Sequence, residues 1–238
     1  MSDTALPESL DAIERVMKNR RATRHFSPRE IDRELLVRLL EAARWAPSGY
    51  NLQPTRFIIV QDSSLKPALR RACLNQSQVE EAPAVVIFAG DHRAFEDHFE
   101  NAIGLDLQAG SINDEYATLL RRVVPIMFQR GPLGFHWLWK VFVLPVARLF
   151  TPLPIVPAVH KSFWLAKQAM LCAMNFMLAA EAAGLATVPM EGFDTGRLKR
   201  CLNLPASWEP LLVVPVGYPL SSPATKTRLP LDQLTLWR

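Results

Sequence analysis

The sequence contains few cysteines, and they are not arranged as a metal or redox site. The three cysteines, Cys73, Cys172 and Cys201, lie far apart and form no CxxC pair. An odd number of separated cysteines is typical of free thiols in a reducing compartment. His92 and His98 lie among carboxylates in "DHRAFEDHFE", but their spacing is not that of helical metal ligands. We therefore expect no metal site here, and these histidines are interpreted as part of a solvated helix face.

The sequence also lacks a secretory signal and a long uncharged apolar run. The N-terminus, "MSDTALPESLDAIERVMKNRR", has early acidic residues and no apolar core, unlike a signal peptide. No stretch of about 18 uncharged apolar residues is evident, so the sequence predicts no transmembrane helix. We expect a cytoplasmic protein.

Motifs for a Rossmann nucleotide site, a hydrolase nucleophile and nucleic-acid binding are absent as well. No GxGxxG follows a strand, so we expect no Rossmann site for a dinucleotide. GxSxG is absent, so Ser48 is not a nucleophile of the strand–turn–helix type. The formal net charge is only +4, and Lys and Arg are spread along the chain in short clusters. This distribution argues against a nucleic-acid partner.

The composition and the apolar patterns predict one globular domain, residues 1–238. Hydrophobic residues make up 49% of the chain and charged residues 21%, as in ordinary globular proteins. Helices and strands in mixed order indicate an α+β fold in which helices flank one sheet. Helical periodicity predicts helices over 8–19, 27–46, 63–74, 94–123 and 161–185, and apolar runs predict strands over 56–61, 82–91, 186–189 and 209–219.

The predicted helix 161–185 is apolar almost all round, with Gly184 placed to end it. A helix without a polar face is typically buried in a core. We therefore expect this helix to be the central, buried one.

Two basic clusters have the composition of a phosphate site. "RRATR" places Arg20, Arg21 and Arg24 within five residues, and "TKTRLP" offers Lys226 and Arg228. Guanidinium groups bind phosphate oxygens through a planar fork. Lys226 and Arg228 are two residues apart, so their side chains point the same way if the segment is extended. Each cluster alone also fits a solvated turn.

Three polar loops interrupt the apolar elements. "APSGYNLQPT" (46–55) carries hydrogen-bonding side chains and Gly49, which lets another group approach the backbone. "LNQSQVEEAPAVV" contains Asn75 and Gln78 just before a strand, and "VPMEGFD" spans 188–194. Each loop alone fits ordinary turn chemistry.

Taken in order, these segments resemble the FMN-dependent NAD(P)H nitroreductases of the oxygen-insensitive nitroreductase family. The resemblance covers roughly residues 10–110 and 160–235, and several separate motifs keep their order and spacing. It implies a nitroreductase-like α+β fold with a central mixed or antiparallel sheet flanked by helices. It also implies an entwined homodimer with two FMN sites at the subunit interface.

The resemblance assigns roles to the polar segments. The basic clusters would hold the FMN phosphate, Arg24 would lie near flavin N1 and O2, and the 47–51 loop would reach the flavin from the other subunit. Asn75 would bind the pyrimidine edge, and the turn at Glu191 and Gly192 would face N5 and O4. The implied cofactor-binding residues are Arg20, Arg21, Ala22, Arg24, Pro47, Ser48, Gly49, Asn51, Asn75, Gln78, Pro189, Met190, Glu191, Gly192, Lys226 and Arg228.

Two positions depart from the family pattern. Ala22 replaces the usual Ser or Thr of the phosphate segment, which removes a hydroxyl donor. Gln78 stands where some members place a second cation near the ring. Both changes bear on how the flavin would be held and on its potential.

The implied activity is hydride transfer from NAD(P)H, a transient donor, through flavin N5 to a small-molecule acceptor such as a nitroaromatic or a quinone. The cofactor carries the chemistry in such a ping-pong cycle, so no catalytic side chain is required. Two alternatives stay open: a specialised dehydrogenase or dehalogenase of the same fold, and a flavin-binding or redox-sensing protein without turnover.

Residues 125–159 form an aromatic, proline-rich insertion that the resemblance does not explain. Trp137, Trp139, Phe142 and Phe150 are interleaved with six prolines, and Arg130, Lys140 and Arg148 are the fully charged residues. We expect a flap over the flavin pocket that excludes water. The alternative is contact with a membrane surface, which the prolines disfavour because they break a long interfacial helix.

Overall fold

The computed structural model describes residues 8–128, 141–143, 146–147, 149–150, 160–221 and 225–238. Trp137, Trp139 and most of the 125–159 insertion therefore lie outside the described residues. The helices are α1 (Glu8–Asn19), α2 (Arg33–Arg44), α3 (Lys66–Ala72), α4 (Gln78–Glu81), α5 (Ala94–Gln108), α6 (Asp114–Phe128), α7 (Lys161–Ala182) and α8 (Thr195–Cys201). The strands are β1 (Thr55–Val60), β2 (Ala84–Asp91), β3 (Ala186–Thr187) and β4 (Trp208–Gly217).

The four strands form one antiparallel sheet in the order β1-β2-β4-β3. All eight residues of β2 are buried, because helices cover both faces of the sheet. Successive side chains of a strand alternate between faces. Val86 and Phe88 accordingly pack on one side, and Val85 and Ile87 pack on the other. The predicted α+β fold is confirmed.

Helix α7 lies across one face of the sheet with α2. Phe88 of β2 contacts Phe176 of α7 edge to face, with ring centroids 5.6 Å apart. The opposite face is covered by α3, α4 and α8. A third apolar cluster joins α5 and α6 to the start of α7, where Phe128 stacks on Phe95 at 5.3 Å and meets Trp164 at 5.0 Å.

Two helix predictions were wrong in their extent. The predicted helix 94–123 is two helices, because Gly110 adopts a φ of +68° and the polar residues after it form a turn. The predicted helix 27–46 begins only at Arg33, where the Asp32 carboxylate accepts a hydrogen bond of 2.9 Å from the Glu34 N–H. Gly184, with a φ of +74°, ends α7 as predicted.

Within one chain, helix α7 is buried on one side only. Eight of its residues are buried against the sheet and α2. Phe163, Leu171 and Met174 are 57%, 45% and 41% exposed, and their spacing places them on one face. By length and composition α7 could cross a membrane, but its packing against the sheet is that of a core helix with an uncovered apolar face.

Candidate cofactor-binding site

The basic segment at 20–24 runs beside the short edge strand β3. Ala22 pairs in parallel with Thr187, and the Thr23 N–H donates to the Thr187 carbonyl at 3.1 Å. Further along, the Ser27 N–H donates to the Tyr218 carbonyl at 2.8 Å. One isolated parallel bridge therefore joins the segment to the edge of the sheet. The sheet itself is antiparallel, one of the two forms that the resemblance implies.

The structure brings the two basic clusters together, although about 200 residues of chain separate them. The Lys226 ammonium donates to the Met17 carbonyl at the end of α1, at 2.6 Å. Burial lowers the pKa of the Arg20 guanidinium, and the charges of Arg228 and Arg21 lower it further. The pKa of Lys226 is lowered by burial and by the same three arginines. Mutual repulsion of four cations is relieved by a bound anion.

Unpartnered polar atoms mark where such an anion would bind. Among the described residues, the buried side-chain atoms without a hydrogen-bond partner are Arg20 Nη1, Arg21 Nη1 and Thr187 Oγ1. A buried donor without a partner costs about 1–3 kcal/mol. All three belong to the segments 20–24 and 186–187, which run side by side. Their chemistry fits the oxygens of a phosphate monoester.

Thr187 is a candidate site residue that no motif in the sequence indicates. It is 1% exposed and lies directly across from Ala22, the position where the family's usual hydroxyl is missing. Its hydroxyl can therefore supply from β3 what Ala22 cannot. No local signal could have revealed this, because a threonine in a strand is ordinary and the role depends on which strand it pairs with.

A test of this compensation is the variant Thr187→Val, which keeps the shape of the side chain and removes its hydroxyl. We expect FMN affinity to fall by about 1 kcal/mol, since one hydrogen bond is lost. Adding Ala22→Ser in the same chain should restore most of it. Titration of the apoprotein with FMN, followed by fluorescence quenching, measures both. Equal affinity of Thr187→Val and the wild type would contradict this role of Thr187.

The predicted ring-binding loops lie next to one another at the far end of the basic segment. The Gln76 amide donates to the Gly192 carbonyl at 3.0 Å, and the Gln78 amide contacts Met190 Sδ at 3.5 Å. Asn75, Pro189, Glu191 and Gly192 are exposed, whereas Gln78 and Met190 are buried. The buried Gln78 amide also donates to Gln76 Oε1 at 2.9 Å.

Arg24 lies on the side of the basic segment that leads toward these loops. It is exposed and follows Ala22 by two residues, about 7 Å along an extended chain. Because the segment is parallel to β3, it advances in the same direction as the chain from Thr187 to Glu191. The resemblance would place Arg24 between the phosphate cluster, defined as Arg20, Arg21, Lys226 and Arg228, and the Glu191 turn.

The loop at 47–51 lies at the opposite end of α7. The Gly49 N–H donates to Gln168 Oε1 at 2.9 Å, while the basic cluster interacts with Glu181. Thirteen residues of helix separate these two positions, which is about 20 Å. One chain therefore does not bring Pro47, Ser48, Gly49 and Asn51 to the phosphate cluster.

The 47–51 loop borders a cavity of about 310 Å³. Ser48 accepts a hydrogen bond from the Gln53 N–H at 2.9 Å, and Asn51 donates to Asp106 at 2.9 Å. The cavity lining includes Arg44, Ser48, Asn51, Gln53, His98 and Cys172. Its wall is mixed, with amide, hydroxyl and guanidinium groups beside apolar ones.

Backbone strain is concentrated in two of the predicted loops. Of the six described non-glycine residues with positive φ, only Asn203 lies elsewhere. Such conformations cost of order 1–3 kcal/mol each and cluster where a ligand is held. The five residues with positive φ in these two loops are Tyr50, Asn51, Gln53, Leu74 and Asn75.

The two histidines of "DHRAFEDHFE" make hydrogen bonds within the protein, so their interpretation as a solvated helix face was wrong. His98 is half-buried, with Nδ1 2.9 Å from the Leu52 carbonyl and Nε2 2.8 Å from Arg56. His92 Nε2 lies 2.6 Å from a Glu209 oxygen. The described residues contain no group of three or more metal-ligating side chains.

Comparison with known proteins identifies the family. The model of the nitroreductase family matches residues 17–218. A protein of Thermus thermophilus called NADH dehydrogenase is 31% identical over 96% of this chain and 97% of its own. The putative NAD(P)H nitroreductase MhqN of Bacillus subtilis is 28% identical over 85% of each chain. A nitroreductase-like protein of Streptococcus mutans has the same fold, with a TM-score of 0.75 and 25% identity over 96% of this chain and 99% of its own. The chain belongs to the nitroreductase family.

Proposed function

We propose that this NAD(P)H-dependent, FMN-containing oxidoreductase reduces a small acceptor, such as a nitroaromatic or a quinone, in a ping-pong cycle. The observation that carries the proposal is the proximity of Arg20, Arg21, Lys226 and Arg228. Buried polar atoms of Arg20 and Arg21, and of Thr187 on the neighbouring strand, lack hydrogen-bond partners. A phosphomonoester carries close to two negative charges near neutral pH. The cluster has the charge and the donors to bind one.

The phosphate cluster would hold one end of the cofactor and thereby determine where along the site the flavin ring lies. Arg20 is partly buried, so its hydrogen bonds to a phosphate form in a medium of lowered dielectric, where charge-assisted bonds are stronger. Lys226 is tethered to the end of α1 through Met17. This contact joins the C-terminal segment that carries Lys226 and Arg228 to helix α1.

The second group of residues would position the ring. Bound FMN would supply the hydride chemistry, at its N5 atom, that links NAD(P)H to the acceptor. Arg24 supplies a fixed cation that stabilises negative charge on the N1 and O2 edge. Asn75 would bind the pyrimidine edge, and the turn at Glu191 and Gly192 would orient the N5 side. These groups position and polarise, and none of them needs to transfer a proton.

A complete site requires a second copy of the chain. The 47–51 loop lies about 20 Å from the phosphate cluster along α7, and α7 presents an uncovered apolar face. Proteins of this family are typically homodimers. We propose a homodimer in which each 47–51 loop contributes to the flavin site of the other subunit.

The decisive experiment follows the flavin directly. Purified protein should release FMN and no FAD on denaturation, because the described residues provide a phosphate cluster and the sequence no adenine-binding motif. Anaerobic addition of NADH or NADPH should bleach the flavin within seconds, and a nitroaromatic or a quinone should restore its colour. Flavin that stays oxidised with both donors would show binding without turnover and would refute the proposal.

A further inference from the structure

The two loops that carry the predicted ring-binding residues come from distant parts of the chain. The 73–76 loop follows α3, and the 190–194 turn precedes α8. The proposed function assigns Asn75 of the first loop to one edge of the flavin ring and the Glu191–Gly192 part of the turn to another. A ring held at two edges needs groups that stay at a fixed distance from each other. The contacts between the two loops therefore bear directly on the site.

The side chain of Gln76 joins the two loops. Its Nε2 donates to the Gly192 carbonyl at 3.0 Å and to the Cys73 carbonyl at 3.2 Å. An amide nitrogen has two hydrogens, so both are used, and the two carbonyl partners require the nitrogen on that side of the amide. Gln76 Oε1 in turn accepts a hydrogen bond of 2.9 Å from Gln78 Nε2. The Gln76 amide is therefore held at both of its polar atoms.

The amide also packs directly against the backbone of the turn. A Cβ added to Gly192 would lie 3.2 Å from Gln76 Nε2 and 3.7 Å from Leu74 Cδ1. The first of these distances is shorter than an ordinary van der Waals contact, so a glycine permits an approach that a side chain would disturb. Beside it, the Asp194 N–H donates to the Ala72 carbonyl at 2.8 Å. The turn is thus fixed to the end of α3 at two points.

Two N–H groups of the turn remain available to a ligand. In a trans peptide the N–H and the carbonyl point in opposite directions. The Met190 carbonyl accepts from the Val213 N–H of β4 at 3.0 Å, so the Glu191 N–H points away from the sheet. The Glu191 carbonyl accepts from the Phe193 N–H at 3.0 Å, so the Gly192 N–H points away from the inside of the turn. Neither N–H donates to a residue within the described ranges.

We propose that Gln76 is a positioning residue for the flavin ring. By holding the Gly192 carbonyl, its amide directs the N–H groups of the turn and sets their distance from Asn75. This role rests on the proposed function, since it requires a bound flavin. Gln76 acts through the turn and not on the reacting atoms, because its amide hydrogens are already bonded to two carbonyl groups of the protein.

The test begins with Gln76→Met, which keeps the length of the side chain and removes its hydrogen bonds. A side chain that only filled space would be replaced well by methionine. We expect the amides of Phe193 and Asp194 in the apoprotein to exchange with solvent roughly five-fold faster than in the wild type, the factor that one hydrogen bond provides. Exchange along β4 should not change. Hydrogen exchange followed by mass spectrometry measures both segments without any flavin.

The FMN-loaded full-length protein gives the second measurement. The dissociation constant for FMN should rise no more than roughly five-fold in Gln76→Met, because the phosphate cluster is intact and one orienting hydrogen bond is lost. The limiting rate of flavin reduction at saturating NADH or NADPH should fall roughly ten-fold or more, since small displacements of reacting groups are costly. The donor concentration at half-saturation should stay close to the wild-type value. Anaerobic stopped-flow absorbance measures the rate.

Two further variants make the result specific. Gln76→Glu keeps the acceptor for Gln78 but places a carboxylate against two carbonyl groups, so it should slow reduction at least as much as Gln76→Met. It also decides the question if the methionine variant does not fold. Gln61→Met is the matched control, because the Gln61 amide donates to the Ile31 carbonyl at 3.3 Å, away from both loops. We expect Gln61→Met to match the wild type in exchange, FMN affinity and reduction rate.

The outcomes separate this role from the proposed function. Wild-type exchange at Phe193 and Asp194 in both Gln76 variants would show that Gln76 does not hold the turn and would overturn the proposal. Faster exchange with a wild-type rate of reduction would also overturn it, because the turn would then loosen without affecting the ring. A wild-type protein whose flavin stays oxidised with both donors would instead refute the proposed function. Faster exchange and slower reduction, with FMN still bound, are the expected results.

Discussion

Changing Arg20→Ala together with Arg228→Ala should lower FMN affinity by about 3–6 kcal/mol, because charge-assisted hydrogen bonds contribute roughly 1.5–3 kcal/mol each. The dissociation constant for FMN should therefore rise by about 10²- to 10⁴-fold. The reason is visible in the structure: Arg20 Nη1 is buried without a partner, and Arg228 is close enough to lower the pKa of Arg20. Titration of apoprotein with FMN measures the change.

The matched control for this variant changes two arginines outside the cluster. Arg71 of α3 and Arg200 of α8 are exposed, so Arg71→Ala with Arg200→Ala removes the same charge from the chain. We expect FMN affinity to stay within about two-fold of the wild type, as is usual for surface changes. If both double variants lost affinity equally, net charge alone would explain the effect, and the phosphate cluster would be assigned wrongly.

The core could be predicted from the sequence because its elements carry strong local patterns. The β2 strand is a continuous apolar run, and β2 is buried on both faces as such a run indicates. The periodicity of α2 and α7 likewise indicated that both helices exist and approximately where each one stops, although not where α2 begins. The break between α5 and α6 was also signalled locally, by Gly110 and the polar residues after it, and apolar periodicity on both sides obscured it.

The candidate site was predicted only in part because most of it is non-local. Nothing in "RRATR" or "TKTRLP" indicates that the two meet, and the family resemblance alone supplied that link. The contribution of Thr187 depends on its pairing with Ala22 across two strands. Gln78 shows the same limit, because the sequence does not indicate that this residue is buried beside Met190.

The sequence alone did not indicate what covers the apolar face of α7 that stays exposed in one chain. A helix that is apolar all round can be buried within one subunit or shared between two. The sheet and α2 cover only one side, and Phe163, Leu171 and Met174 stay exposed on the other. A second subunit is the simplest cover, since the same helix separates the 47–51 loop from the phosphate cluster.

Replacing Leu171→Asp together with Met174→Asp should therefore separate the subunits and release the flavin. A two-fold interface contains each residue twice, and burying one such side chain contributes about 1.5 kcal/mol. Removing four of them raises the dimer dissociation constant by about 10⁴-fold, before the cost of burying carboxylates is counted. Sedimentation velocity measures the assembly, and flavin absorbance after gel filtration measures the loss of FMN.

The α6 variant Leu119→Asp with Ile126→Asp is the matched control for the α7 change. It carries the same two added charges on another exposed apolar face, and we expect it to remain a dimer with full FMN content. A monomeric α7 variant that kept full FMN affinity would show that one chain completes the site without the 47–51 loop of a second copy. An α7 variant that remained dimeric would instead place the subunit interface on another surface. The 47–51 loop and the phosphate cluster of one chain are about 20 Å apart along α7. We therefore expect the α7 variant to lose both the dimer and FMN, and the α6 variant to lose neither.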